Sequence, residues 1–272
     1  MIKALFFDLD GTLLTDNKTV SPVTWHTLKR LHERGTKLFI ATGRSMDLKK
    51  TLNWTDENLA LFDGGAFANG GVVRYRDQTE YITLPESSVC SIIDQVSRYS
   101  GLHMSLHLTD GKCAFNYSLP ERFYGPWGMN QSTIVSLNEQ AKAQTVKILI
   151  FNENLIDTVT EIPKSLFENL CQSCGSQVNF YLTDQGKTIQ AASSKADKKR
   201  GVTRLIALAG LADEEVAVFG DDENDIPMLR HFSNSIAMGN AADRVKACAR
   251  HITLSNNSDG ISHAVTCILK LL

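Results

Sequence analysis

The sequence predicts an α/β fold: a parallel-sheet core built from alternating strands and helices, interrupted by an inserted α+β segment. Three observations predict it. Apolar runs alternate with amphipathic segments in both flanks of the chain, joined by short connections. Between the flanks the pattern changes to helices and hairpin-forming strands. Two of the apolar runs break into acidic clusters, Asp8-Leu9-Asp10-Gly11-Thr12 and Gly220-Asp221-Asp222-Glu223-Asn224-Asp225. Ligands of open α/β sheets bind at the carboxyl ends of the strands, so both clusters fall where a site is expected.

The first apolar run, closing on Phe6-Phe7 and bounded by Gly11, reads as a strand buried on both faces. Ser21-Pro22 marks a helix start, Trp25, Leu28 and Leu31 share one face of that helix, and Gly35 ends it. Residues 37–41 form the next strand, which runs into Thr42-Gly43-Arg44-Ser45 and a helix through Leu52. Residues 66–83 are strand-like, with the turn Asn69-Gly70-Gly71.

From Pro85 the character changes. Residues 85–99 are apolar at helical spacing, and 103–108 pairs with 113–117 through the hairpin signal Thr109-Asp110-Gly111-Lys112. A strand at 146–151, a helix at 162–170 and a strand at 178–182 complete the insertion. Strand–helix alternation returns after about Thr188: a helix at 201–209, a buried strand at 215–219, a short helix through Arg230, strands at 235–238 and 251–254, and a closing helix. The expected domains are therefore a core of residues 1–83 and 188–272 and an inserted α+β domain of residues 84–187.

Composition narrows the function. The 272 residues carry 28 Lys and Arg against 30 Asp and Glu, without the positive excess that nucleic-acid binding requires. No apolar stretch reaches the length of a membrane span and no signal-peptide pattern opens the chain, so a cytoplasmic protein with no membrane partner is expected. Six cysteines include the close pair Cys171 and Cys174, but no matching zinc ligands stand nearby, and buried or half-exposed thiols are expected.

The chemistry follows from like charge. Asp8 and Asp10 point the same way from an extended segment, and two carboxylates so close need a cation between them or a proton. Mg²⁺ suits such a site, because it takes oxygen ligands and is often held by one or two carboxylates plus substrate phosphate. If the strands before Asp8 and Asp221 are neighbours, both side chains reach one ion, with the backbone carbonyl of Asp10 as a third ligand. Thr42 and Gly43, at the same sheet edge, offer a hydroxyl and backbone N–H groups to an anionic oxygen. A metal, a free carboxylate, a hydroxyl and a lysine are what phosphoryl transfer requires. One carboxylate attacks phosphorus; the other moves protons.

Asp8-Leu9-Asp10-Gly11-Thr12, Thr42-Gly43-Arg44, the Lys198 segment and Gly220 to Asp225, in that order, resemble the four motifs of the haloacid dehalogenase superfamily of phosphatases. Ala237-Met238-Gly239-Asn240-Ala241, the stretch 253–260 and the large insertion resemble its Cof-type sugar-phosphatase branch. The resemblance implies a Rossmann-like core and an inserted cap. It also implies roles: Asp8 as nucleophile, Asp10 as general acid and base, Thr42, Gly43, Lys198 and Asn224 on phosphate, and Asp8, Asp10 and Asp221 on Mg²⁺. Asp225, Asn240 and Asn256 would support these groups. Family members usually carry Lys-Gly in the third motif, whereas Lys195, Lys198 and Lys199 here have no glycine after any of them; the spacing to Gly201-Val202 and Leu205 favours Lys198. Arg44 is expected at the surface. The expected function is Mg²⁺-dependent hydrolysis of small phosphorylated metabolites, sugar phosphates among them, through an aspartyl-phosphate on Asp8. The alternatives are a phosphotransferase or mutase, and a non-catalytic module phosphorylated on the same aspartate.

Overall fold

The strands of the computed structural model, which describes residues 1–124, 129–152, 161–183 and 186–272, fall into two sheets. In chain order they begin with β1 (Ala4–Phe7), β2 (Lys37–Ala41), β3 (Gly64–Phe67), β4 (Val72–Tyr75) and β5 (Gln78–Tyr81). The middle of the chain supplies β6 (Leu102–Leu108), β7 (Cys113–Phe115), β8 (Ile134–Val135), β9 (Thr145–Asn152), β10 (Val178–Thr183) and β11 (Thr188–Ser193). The last strands are β12 (Val216–Gly220), β13 (Ser235–Ala237) and β14 (His251–Ile252).

The first sheet has the order β14-β13-β12-β1-β2-β3-β4-β5. From β14 to β3 every pair is parallel, and β4 turns back antiparallel to β3. All four side chains of β1 are buried, as a central parallel strand covered on both faces requires. Phe6 stacks on Phe39 and Phe7 on Phe219, so aromatic rings bind β1 to both its neighbours. Helix Pro22–Glu33 begins where expected: Ser21 Oγ accepts from the Thr24 N–H at 3.0 Å, and the chain leaves through Gly35 at φ +80°. Its buried Leu28 and Leu31 each contribute roughly 1.5–3 kcal/mol.

The second sheet has the order β10-β11-β9-β6-β7-β8. It is antiparallel except for the β7–β8 pair, and the hairpin of β6 and β7 forms as the Asp110-Gly111 turn predicts. One face carries Met104, Leu106, Ile148, Ile150, Ile189 and Ala191 into a core shared with Val89, Ile92 and Val96 of helix Glu86–Val96 and with Leu166, Leu170 and Cys174 of helix Lys164–Cys174. Cys174 is thus a core residue and Cys171, one turn earlier, is exposed; both are free thiols.

The chain divides into two compact units, Met1–Arg44 with Leu52–Glu80 and Lys198–Leu272, and Ser45–Thr51 with Tyr81–Asp197. Residues 188–193, placed by their sequence in the returning core, instead form β11 in the second sheet, antiparallel to both β9 and β10. All of its residues are buried except the half-buried Gln190, a pattern that would suit either sheet, and no local signal says which it joins. Among the described residues no helix is long and apolar enough to cross a membrane.

Candidate active site

The parallel register of β1 and β12 pairs Phe7 with Phe219, so Asp8 and the Gly220-Asp221 step leave the sheet side by side. The Asp8 N–H donates to the Phe219 carbonyl at 3.0 Å, extending the ladder one residue beyond the strands. Helix Lys198–Ala209 brings Lys198 to the same place, where its Nζ donates at 2.7 Å both to Asp8 Oδ1 and to Asp225 Oδ1. All three side chains are buried. Of the other two lysines in the segment, Lys195 is exposed and Lys199 half-buried.

Asp225 is fixed from both sides, since its Oδ2 also accepts from the backbone N–H groups of Asp221 and Asp222 at 3.0 and 3.1 Å. Gly220 permits that turn: a Cβ there would stand 2.5 Å from the Asp225 side chain. Asp221 Oδ1 accepts from Thr12 Oγ1 at 2.7 Å. Gly11, at φ +76°, lies so close to Asp221 that a Cβ would overlap its carboxylate. Here a positive φ and a close approach both call for glycine.

Oxygens of Asp8, Asp221 and Asp225 all lie within 4.8 Å of one another. Three carboxylates therefore face one ammonium. Burial pushes the Asp8 carboxyl well above its ordinary range, with Lys198 pulling down and Asp225 and Asp221 pushing up. Burial, and then Asp225, pushes Asp221 up to about 7. Lys198 is held protonated, its pKa raised because Asp225 and Asp8 outweigh the burial that opposes its charge. A cluster with this excess of negative charge fits a hard cation. Asp225, expected in support, joins this set alongside the expected Asp8 and Asp221.

The Asp10 carboxylate is engaged elsewhere. Arg44 Nε donates to Oδ2 at 2.6 Å and Arg44 Nη2 to Oδ1 at 2.7 Å, while Lys18 Nζ reaches Oδ1 at 2.8 Å. Burial would raise the Asp10 pKa, but these two cations hold it well below the usual carboxylate range. The expectation that Arg44 is a surface residue is corrected here. It leaves the sheet edge immediately after Thr42-Gly43, and the bend at Gly43 turns its guanidinium onto the carboxylate of the neighbouring strand end. Its place in that motif was the available signal; Lys18, in a polar turn, offered none.

Thr42 is buried, and its hydroxyl accepts from the Arg44 N–H at 3.1 Å. Gly43 is half-buried beside it. The buried Asn224 donates through Nδ2 to Asn69 Oδ1 at 3.0 Å, and among the described residues its own Oδ1 has no hydrogen-bond partner. Asn240 Nδ2 donates to the Gly11 carbonyl at 2.8 Å, and Asn240 Oδ1 accepts from the Asn256 N–H at 3.0 Å. Asn256 Nδ2 in turn reaches the Leu14 carbonyl and Asp16 Oδ1 at 3.0 and 3.1 Å. These two asparagines brace the loop after Asp10.

Comparison with known proteins bears on the family and the fold. A family model described as haloacid dehalogenase-like hydrolase matches residues 5–265. The 5-amino-6-(5-phospho-D-ribitylamino)uracil phosphatase YitU of Bacillus subtilis is 27% identical over 267 residues, covering 94% of this chain and 93% of its own. The subclass IIB sugar phosphatase BT4131 superposes with a TM-score of 0.79 at 25% identity, over 97% of this chain and 98% of that one. A haloacid dehalogenase-like hydrolase from Bacteroides thetaiotaomicron superposes with a TM-score of 0.78 at 25% identity, over 98% and 100% of the two chains.

Proposed function

The chain belongs to the haloacid dehalogenase-like hydrolases, in their Cof-type branch, and from that premise we propose that it is a Mg²⁺-dependent phosphatase of small phosphorylated metabolites, sugar phosphates included. One observation carries the reading: Asp8, a buried carboxylate at a strand end, is held by Lys198 within an acidic cluster that also contains Asp221 and Asp225. A buried carboxylate beside a fixed ammonium is placed to attack an anionic phosphorus centre, because the lysine offsets the incoming charge.

The donor set fits a divalent cation: hard oxygens, more negative charge than Lys198 neutralises, and a Gly11 that leaves Asp221 room to turn toward Asp8. Asp8 and Asp221 would hold it with the carbonyl of Asp10, and when bound it supplies positive charge against the phosphate oxygens. The remaining work belongs to the chain. Asp8 attacks phosphorus and the bond to the leaving oxygen breaks, giving an aspartyl-phosphate. Asp10 gives its proton to that leaving oxygen, then takes one from water as the water oxygen attacks phosphorus and frees Asp8. For that role Asp10 must exchange its contacts with Arg44 and Lys18 for a proton, and an arriving phosphate is a competing partner for both cations. Thr42, the Gly43 N–H, Lys198 and Asn224 are the proposed phosphate contacts, while Asp225, Asn240 and Asn256 hold their neighbours in place.

We assign substrate choice to the expected insertion, residues 84–187. The unit containing it has a hydrophobic core of its own, which lets its surface vary without disturbing the chemistry. The test of the whole reading is phosphate release from a broad panel of phosphorylated metabolites, with Mg²⁺ and with a chelator, beside Asp8→Asn. The expected result is metal-dependent turnover that Asp8→Asn abolishes. Turnover that survives Asp8→Asn, or none on any substrate, overturns it.

A further inference from the structure

The turn after β3 departs from ordinary backbone geometry. Ala68, Asn69 and Gly70 take φ of +49°, +55° and +88°, three successive left-handed residues of which two are not glycine. Ala68 there costs about 1–2 kcal/mol and Asn69 less, so the surrounding structure must hold the turn in place. It does so through the candidate site. The Ala68 N–H donates to the Arg44 carbonyl at 2.8 Å and the Asn69 N–H to the Thr42 carbonyl at 3.0 Å. Gly201, one turn into the helix that begins with Lys198, packs so closely that a Cβ would stand 3.2 Å from Gly70 Cα and 2.6 Å from Ala66 Cβ.

Within this turn Asn69 is fully buried, and its Oδ1 accepts the hydrogen bond from Asn224 Nδ2. A buried amide with one end committed has a fixed orientation. With Nδ2 on Asn69, Asn224 Oδ1 is left as a buried acceptor without a partner among the described residues, an arrangement that costs about 1–3 kcal/mol unless a donor comes to it.

We propose that Asn69 is a positioning residue for the reaction: through its side chain it orients the Asn224 amide, and through its backbone it ties that amide to the carbonyl of Thr42. The inference rests on the phosphatase reading for its kinetic consequence, but the orientation of Asn224 does not depend on it. Asn69 acts through Asn224 and touches no reacting atom. Its side-chain type has a reason, since asparagine tolerates a left-handed backbone better than most residues and still offers an acceptor. Leucine or alanine would do neither.

Two substitutions separate this role from a merely structural one. Asn69→Gly keeps the backbone freedom and removes the acceptor, whereas Asn69→Ala removes both. In a double-mutant cycle with Asn224→Ala, read on the substrate that the wild-type chain turns over best, Asn69→Gly should lower kcat by about 10- to 100-fold with KM changed less than about threefold. The double variant should be no slower than Asn224→Ala alone, and Asn69→Ala should add a lower Tm. A second readout needs no turnover: the Asn224 side-chain NH₂, followed by NMR, should be protected from hydrogen exchange in the wild type and lose at least tenfold of that protection in Asn69→Gly. Full activity in Asn69→Gly, multiplicative losses in the cycle, or unchanged protection would each overturn the assignment. Lost protection in a protein that turns over no phosphorylated substrate would overturn the phosphatase reading and leave the orientation of Asn224 by Asn69 standing.

Discussion

Arg44 grips Asp10 with two parallel hydrogen bonds, Nε to Oδ2 at 2.6 Å and Nη2 to Oδ1 at 2.7 Å. This fork geometry is specific to arginine, because lysine presents a point charge that cannot hold both oxygens in one plane. The grip favours the ionised carboxylate, so it sets where Asp10 gains its proton. Arg44→Ala should move the Asp10 limb of the pH–rate profile of kcat/KM upward, toward the ordinary carboxylate range, and lower kcat by about tenfold as the carboxylate loses its fixed position. Arg44→Lys should fall between the two. An unmoved limb in Arg44→Ala would show that Lys18 alone holds Asp10.

Lys198 is the cation at the centre of a buried acidic cluster, and its removal leaves Asp8 and Asp225 facing each other without it. Breaking such a pair from one side typically costs about 3–5 kcal/mol, because a charge is left buried and unpaired. Lys198→Met should therefore destabilise the protein by about that amount at neutral pH, measured by urea unfolding. Adding Asp8→Asn should recover at least about 1 kcal/mol, since one uncompensated charge disappears with it. Lys195→Ala, at an exposed position, should match the wild type in both stability and turnover. Equal stability of Lys198→Met and the double variant would contradict the coupling.

Gly11 and Gly35 have nearly the same backbone, φ +76° and +80°, but different surroundings. A Cβ at Gly35 meets nothing within 4 Å, whereas one at Gly11 overlaps the Asp221 carboxylate. Both alanine variants pay about 1–2 kcal/mol for the left-handed conformation. Gly11→Ala should also displace Asp221, lowering phosphate release at least 100-fold and raising the Mg²⁺ concentration for half-maximal activity at least tenfold. Gly35→Ala should leave both unchanged. Similar kinetics in the two variants would separate Asp221 from the proposed metal site.

The parts of this molecule that were legible in its sequence are those set by local chemistry. Ser21-Pro22 starts a helix through its cap and fixed proline φ, and Asp110-Gly111, flanked by two apolar strands, turns a hairpin. Asp8 and Asp221 were legible because each follows a short apolar run, and parallel neighbours then bring both to one edge. What failed was partner choice. The sequence places residues 188–193 in the returning core without an element of their own, and only long-range pairing puts β11 between β9 and β10. Arg44 stood in a motif at the right sheet edge, but its pairing with Asp10, like that of Lys18, depends on loops folding across the strand ends. Asn69 read as a turn residue, which it is; its contact with Asn224, 155 positions away, carries no local signal.

His107 gives the second unit a pH dependence of its own. It lies on β6 with Ser105 Oγ 3.2 Å from Nε2 and Cys113 Sγ 3.7 Å from Nδ1, and Lys147 is its cross-strand partner on β9. Burial, and then the charge of Lys147, pushes its pKa down to about 3. An unfolded chain protonates this histidine below about pH 6.5, while the folded one keeps it neutral until about pH 3, so between those values the unfolded state binds more protons and stability falls as pH falls. Between pH 7 and pH 5 the loss from this residue is about 2 kcal/mol, from 1.5 units at 1.36 kcal/mol each. His107→Gln, which keeps a polar group for Ser105 but cannot titrate, should lose about that much less stability than the wild type over the same interval in urea unfolding. Parallel losses in the two proteins would mean that His107 accepts its proton in the folded state as readily as in the unfolded one.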